Sequence, residues 1–265
     1  MDKQKLILSI AETGEDQVLL ARIYDRISVG QRKNIPASTS FLSGREQVMA
    51  EQLIRRAGLE ECHFFGGFEG AERKVLCYIP EYYTPEEFFF SEDSPVTAIR
   101  AHISAYDSLT HRDFLGSLMG QGIKREVLGD LLVKKEACDI IVLKEMQKYL
   151  LDNLFSVGRA KVTVSSVSLS ELEAPEQKVK TINDTVASLR LDSIVSLGFQ
   201  LGRSKASAYI TGGKTEVNHV LTIKPDKMID EGDKISVRGL GKITLKEVRG
   251  NTKKGRIAIT VEKLL

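Results

Sequence analysis

Residues 190–239 read RLDSIVSLGFQLGRSKASAYITGGKTEVNHVLTIKPDKMIDEGDKISVRG, and this stretch decides the fold of the C-terminal third of the chain. Leu191, Ile194 and Val195 recur at helical spacing, so they predict a short helix with one apolar face. Arg190 falls on the opposite face. The pattern therefore predicts a helix that packs on a core and presents a cation outward.

A second short helix is predicted over residues 204–211, because the two glycines at 212–213 are typical of a helix end. Arg203 and Lys205 lie at its start. The first backbone N–H groups of a helix have no partner within the helix, and they attract phosphate groups. The start of this helix is therefore a candidate site for a polyanion.

Strand and turn patterns follow the two helices. The predicted strands are residues 214–217, 220–223, 234–238, 242–248 and 256–261. The last two are expected to pair as a hairpin around residues 249–255. Like charges crowded at a hairpin tip repel one another, so a phosphate backbone is a natural partner for them. The cations at this tip are Arg249, Lys253, Lys254 and Arg256.

The order of these motifs closely resembles the S-four RNA-binding domain, which is named after small-subunit ribosomal protein four. The matching motifs are Arg190-Leu191-Asp192, Arg203-Ser204-Lys205-Ala206, residues 213–218 and Gly232-Asp233-Lys234-Ile235. Gly202 replaces the usual capping serine, and His219 stands where glycine is common. The resemblance implies two short helices plus β-hairpins over residues 182–265, and a surface that grips RNA.

We expect the RNA contacts to come from exposed cations and polar groups of this module. The predicted RNA-binding residues are Arg190, Arg203, Ser204, Lys205, Lys214, Asn218, Arg238, Lys242, Arg249, Lys253, Lys254 and Arg256. Ser204 and Asn218 suit local backbone hydrogen bonds equally well. Asp192 is expected to hold the helix start or to pair with a nearby arginine.

A second resemblance spans most of the chain. Residues 66–74 (GGFEGAERK), 110–126 (THRDFLGSLMGQGIKRE), 128–130 (LGD) and 250–256 (GNTKKGR) are similar to the YlmH-type proteins of Gram-positive bacteria. That resemblance implies association with ribosomes. The implied partners are ribosomal RNA, transfer RNA and the large ribosomal subunit during rescue of stalled translation.

The net charge of +2 conceals two parts of opposite sign. Residues 178–265 hold 17 lysines and arginines against 9 aspartates and glutamates, a net charge of +8. The rest holds 21 against 27, a net charge of −6. The basic C-terminal part is suited to a polyanion. The acidic part is suited to a basic partner, such as a ribosomal protein. The glutamates considered for that contact are Glu60, Glu61, Glu69, Glu72, Glu86 and Glu87.

The chain is predicted to be α+β, with an N-terminal α+β domain over residues 1–83 and a middle domain over 84–170. The middle domain reads strand, helix, strand, strand, helix, strand, which is the ferredoxin-like order that RNA-recognition motifs also use. Its predicted elements are residues 96–103, 112–119, 129–133, 139–142, 144–155 and 161–169. Residues 165–180 are predicted to be a linker.

The predicted central strands of this middle domain carry no aromatic residue on which a base could stack, so the usual single-strand binding mode is not expected. Four basic residues of the middle domain are candidates for added RNA contacts. The alternative is that they lie on the surface without such a contact. They are His102, Arg112, Lys124 and Arg125.

Two alternatives to a non-catalytic RNA-binding protein stay open. The first is an RNA-modifying enzyme of pseudouridine-synthase type, since those enzymes use an RLD aspartate, here Asp192. However, about 70 residues follow Asp192, too few for that catalytic domain. The second is a protein-interaction adaptor.

The run His111-Arg112-Asp113 looks like the start of a kinase catalytic loop. It lacks the asparagine that this loop requires, since Leu118 stands in that position.

No cofactor or metal is predicted. Cys62, Cys77 and Cys138 lie far apart, which fits neither a zinc ribbon nor a disulfide framework and favours a reducing compartment. No apolar run approaches the roughly 20 residues of a membrane span. We therefore expect a cytoplasmic protein without a secretion signal.

Overall fold

The computed structural model describes residues 2–174, 178–252 and 255–265. It divides the chain into two units, residues 1–175 and 176–265. The division falls inside the predicted linker. Both ends of that stretch belong to strands, since one strand runs to Val167 and the next begins at Val179. The separate domains over 1–83 and 84–170 stay a prediction, because both lie in the first unit.

Three helices open the first unit: α1 (Lys3–Leu8), α2 (Gly14–Lys33) and α3 (Gly44–Ala57). The longer two begin at capping boxes, in which a hydroxyl side chain and an acidic side chain satisfy free N–H groups at the helix start. They pack on the three-stranded sheet β1-β3-β2, formed by β1 (Ala37–Ser38), β2 (Cys62–Phe65) and β3 (Val75–Tyr78).

A larger antiparallel sheet completes the first unit. Its elements are β4 (Val96–Ile103), α5 (His111–Gly120), β5 (Leu128–Val133), β6 (Ala137–Leu143), α6 (Lys144–Asn153), β7 (Ser156–Val157) and β8 (Ala160–Val167). The strand order is β5-β6-β4-β8-β7. The neighbouring strands β5, β6, β4 and β8 reproduce the ferredoxin-like order, so this part of the fold prediction is confirmed. Helices α5 and α6 cover one face of the sheet over a buried apolar core.

The opposite face of this sheet is covered in part by side chains from residues 41–89. Phe41, together with Phe88 and Phe89 of α4 (Pro85–Phe89), is almost fully buried there. These aromatic residues share one core with six residues of the sheet, which are Val96, Ala98, Leu132, Ile141, Leu143 and Val167. Full burial of such a side chain contributes about 1.5–3 kcal/mol. The two sheets of the first unit are therefore held together by a shared core.

Polar contacts fix the same junction. The guanidinium of Arg73 donates to the backbone carbonyls of Leu128 (2.9 Å) and Phe41 (3.0 Å). In return, the backbone N–H of Arg73 donates to the carboxylate of Asp130 (3.2 Å). Residues 66–74 therefore attach the N-terminal sheet to β5.

The second unit contains helices α7 (Leu191–Gly198) and α8 (Arg203–Thr211), which pack on a six-stranded antiparallel sheet. Its strands are β9 (Val179–Val186), β10 (Thr215–Val217), β11 (Val220–Leu221), β12 (Lys234–Val237), β13 (Gly241–Asn251) and β14 (Ile257–Leu264), in the order β11-β10-β12-β13-β14-β9. Strand β9 was not predicted. It lies at the sheet edge, where most of its side chains face solvent and an apolar pattern is weak.

Gly129 offers a test of the shared core. A Cβ at this position would lie 2.9 Å from the Phe41 ring and 3.0 Å from Ile141. We expect Gly129→Ala to lower the free energy of unfolding by about 1–3 kcal/mol, because the packed aromatic must shift. Urea unfolding of the full chain measures the change.

The control is Gly116→Ala on α5, where a Cβ meets nothing within 4 Å. It should leave stability unchanged or raise it by up to about 1 kcal/mol through helix propensity. Equal stabilities of the two variants would contradict the packing of Phe41 on β5.

Candidate nucleic-acid interface

A buried carboxylate organises two arginines at the start of α7. The side chain of Asp192 is buried and accepts hydrogen bonds from Arg190 at 3.2 Å and from Arg203 at 3.2 and 3.3 Å. The two arginines are 38% and 56% exposed, so their outer edges face solvent. The prediction that Asp192 pairs with a nearby arginine is confirmed, and the group carries a net charge of +1.

The start of α7 is closed to ligands, since carbonyl groups already occupy its N–H groups. The backbone N–H groups of Leu191 and Asp192 donate to the carbonyls of Lys227 (2.8 Å) and Pro225 (3.0 Å). Asp192 is therefore not needed as a helix cap, and its two oxygens serve the arginines. Burial works against the charged carboxylate, but the hydrogen bonds from Arg190 and Arg203 outweigh it and lower the pKa of Asp192.

The start of α8 is different, because Gly202 at the N-cap has no side chain to bond the first N–H groups. Arg203, Ser204 and Lys205 form the first turn, and all three are exposed. Positive charge and free N–H groups thus coincide at this helix start, which favours an anion. Asp192 places Arg203 at the same point.

A polar groove of about 450 Å³ lies between α7 and the edge strand β9. Arg203 and Arg256 both line it, together with one carboxylate, Asp184. Ser193 and Ser196 of α7 supply hydrogen-bonding groups. The fold therefore brings one cation from the start of α8 and one cation of the hairpin to a single groove, although the two are far apart in sequence.

The two arginines of the hairpin have hydrogen-bond partners within the fold. Arg249 donates to Glu247 (3.0 Å) and also to Asn183 and Thr260 across the sheet. Arg256 donates to the hydroxyl of Thr185 (2.8 Å) and remains exposed. Lys253 and Lys254 lie outside the described residues.

Three further predicted cations gather at the far end of α8. Lys214 follows the helix with its ammonium 5.6 Å from the ring centre of Tyr209, and its carbonyl accepts the N–H of Arg238 (2.8 Å). Lys242 lies on β13, where it is opposite Ser236 of β12 in the strand register. The nine residues of α8 separate this cluster from Arg203 by about 14 Å.

Asn218 is engaged within the fold. Its side-chain amide donates to Asp233 (2.7 Å), and its oxygen accepts the backbone N–H of Lys234 (2.9 Å). Asn218 and His219 have φ values of +50° and +66°, which are the left-handed conformations of a tight two-residue hairpin turn. His219 adopts the backbone form for which glycine is common.

In the first unit, Arg125 points inward. Its guanidinium donates to the carbonyls of Leu128 (2.9 Å) and Gly129 (3.0 Å), while burial and the adjacent Arg73 lower its pKa to about 10. Its guanidinium is therefore held by the backbone, and an RNA contact of Arg125 stays a prediction. His102, Arg112 and Lys124 are exposed.

Within residues 2–174, 178–252 and 255–265, no group of three or more His, Cys, Asp or Glu side chains could hold a metal ion. Within the same residues, no helix is long and apolar enough to span a membrane.

Comparison with known proteins defines the class of this chain. A family model described as "Putative RNA-binding domain in YlmH" matches residues 98–171, which form the larger sheet and its helices. The match places the chain among the proteins that carry this domain.

One relative identifies the family, and one solved structure is also similar to the chain. "Ribosome-associated protein quality control protein P2" of Bacillus subtilis (strain 168) is 34% identical over 226 residues, covering 85% of this chain and 86% of the relative. A solved structure, "Cell division protein ylmH from Streptococcus pneumoniae", is 25% identical and covers 61% of this chain and 96% of its own, with a TM-score of 0.49. The chain belongs to the YlmH-type family.

Replacement of Asp192 tests the arginine pairing. We expect Asp192→Asn to lower the free energy of unfolding at pH 7 by about 1–3 kcal/mol, since charge-assisted hydrogen bonds are removed next to buried groups. The folded-state pKa of Asp192 is lowered, so its stabilisation is present above the unfolded value of about 3.9 and disappears as the pH falls through the folded value.

Urea unfolding between neutral and acidic pH measures this effect. The difference between wild type and Asp192→Asn should shrink below about pH 4. Asp226→Asn, at an exposed position, is the control and should change little. A difference that grows toward acidic pH would contradict the pairing.

Proposed function

We propose that this chain is a non-catalytic RNA-binding protein that docks on structured ribosomal or transfer RNA through its second unit. The observation that carries the proposal is the buried Asp192, which holds Arg190 and Arg203 beside the uncapped start of α8. Exposed guanidinium groups and free N–H groups at one point are suited to a phosphate backbone.

The role we propose is ribosome-associated quality control of stalled large subunits in the cytoplasm. Support comes from the family and from the printed name of the Bacillus subtilis relative. The RNA-binding description of the matched family model agrees with it. We also propose that the two helices and hairpins of residues 182–265 are an S-four-type domain.

The mechanism is docking by shape and charge. Double-helical RNA hides its base edges in a deep major groove, so contacts to its backbone read form more than sequence. Arg203 and Arg256 line one groove and are suited to hold one backbone segment. Lys214, Arg238 and Lys242 lie at the other end of α8 and are suited to a neighbouring segment.

Two observations bear on the alternatives. Asp192 is buried and each of its oxygens already accepts hydrogen bonds from both arginines, which favours a positioning role over pseudouridine-synthase chemistry. The adaptor role can coexist with RNA binding, because the predicted glutamates of the first unit are exposed. They are Glu60, Glu61, Glu69, Glu72, Glu86 and Glu87.

The test is the salt dependence of RNA binding by a double variant, Arg203→Ala with Lys205→Ala. Removing a side chain that neutralises one phosphate should reduce the slope of log affinity against log salt by about one unit. We therefore expect weaker binding at low salt and a shallower slope. Fluorescence anisotropy with a labelled ribosomal RNA hairpin measures both.

The matched control removes the same charge from the first unit, with Arg32→Ala and Lys33→Ala at the end of α2. It should keep the wild-type slope. If the two double variants bind identically, the start of α8 does not bind the RNA.

A further inference from the structure

The RNA-binding family model matches residues 98–171, but the sheet in this segment lacks the platform that RNA-recognition motifs use. Such motifs stack bases on the sheet face opposite the helices. Here Phe41, Phe88 and Phe89 pack on part of that face and bury its residues Val96, Ala98 and Ile141. A base cannot reach the covered strands, so any RNA contact of this domain must use the remaining surface.

The uncovered part of the face is polar, and two of its cations already pair with a carboxylate. Asp139 is buried there and accepts hydrogen bonds from Arg100 at 2.5 and 2.9 Å, with Lys134 at 3.2 Å. These two cations are therefore occupied by a carboxylate. His102 and Lys161 lie further along the same face, and both are exposed.

A groove of about 670 Å³ lies at this end of the sheet. Its lining includes Phe155, which is 65% exposed, and also Ile103 and Val162, whose buried side chains belong to the core on the helix-covered face. His102 and Lys161 also line it. No carboxylate belongs to the described lining residues, so the charge of the groove attracts anions.

Phe155 is placed in this groove because α6 ends at Asn153. The backbone carbonyl of Phe155 then accepts the N–H of Val162 (3.0 Å), which ties this residue to β8. The ring therefore stands beside the sheet and not on a helix face. An exposed aromatic ring next to a lysine is the combination on which unpaired bases stack while a cation holds the phosphate.

We propose that this groove binds an unpaired RNA base, with the ring of Phe155 stacking on the base and Lys161 facing the adjacent phosphate. The proposal rests on the proposed RNA-binding function and adds a second, single-stranded contact to it. The second unit grips the RNA backbone, whereas this groove takes a nucleotide that is free of pairing. His102 forms the opposite side, where its ring lies 3.2 Å from the hydroxyl of Ser165.

The chain contains no tryptophan, so a single substitution creates a specific fluorescent reporter. Phe155→Trp keeps an aromatic ring in the groove, and a stacked base should quench its emission. The control reporter is Tyr149→Trp on α6, a position that is 42% exposed and does not line the groove. Both full-length variants are titrated with labelled single-stranded oligouridine and with a labelled, fully paired RNA duplex whose ends are blunt.

We expect oligouridine to quench Phe155→Trp but not Tyr149→Trp. Phe155→Ala should weaken oligouridine binding by about tenfold, which is the size of one base–aromatic stack, and leave binding of the blunt-ended duplex unchanged. Tyr149→Ala should change neither affinity.

Anisotropy of the labelled RNAs separates the two levels of the proposal. Normal binding of both RNAs without quenching of Phe155→Trp would overturn the groove assignment and leave the proposed function intact. Failure of the wild-type chain to bind either RNA would overturn both. An emission shift caused only by added ribosomal proteins would assign the groove to a protein partner and also overturn the proposal.

Discussion

The burial of aromatic side chains on one sheet face is the constraint on which this fold depends. Phe41, Phe88 and Phe89 share a core there with β4, β5, β6 and β8. Because Phe41 and residues of β3 belong to the same core, the N-terminal sheet cannot separate from the larger sheet without exposing this apolar surface to water. Arg73 and Asp130 fix the register of the contact.

This constraint also determines where RNA can bind. A covered sheet cannot act as a stacking platform, so cations and aromatic groups elsewhere must supply the contacts. The second unit offers arginines held by a buried aspartate, and its attraction for RNA is electrostatic and weakened by salt. The groove at Phe155 offers stacking, which is less sensitive to salt. The two proposed contacts therefore differ in physical origin.

Much of the fold could be predicted from sequence because its signals are local. Strand β4 has its predicted bounds, since apolar residues line its buried positions, and β5 differs from its prediction by one residue at its start. Strand β9 could not be predicted in the same way. Its pairing with β14 spans about 80 residues of chain, and its own pattern is mostly polar.

The candidate site was predicted in part. Arg203 and Lys205 follow from motif order, but the burial of Asp192 between two arginines depends on tertiary packing. Phe155 was missed because the predicted helix extended through residue 155, which would have hidden the ring on a helix face. The sequence shows that Arg125 is basic, but it does not show that the fold turns this side chain toward backbone carbonyls.

The most direct test is ultraviolet cross-linking of the full chain to ribosomal RNA, followed by mass spectrometry of the cross-linked peptides. The account predicts cross-links within residues 203–205 and 155–161. Cross-links confined to residues 3–89, which form the N-terminal helices and the aromatic cover, would contradict it.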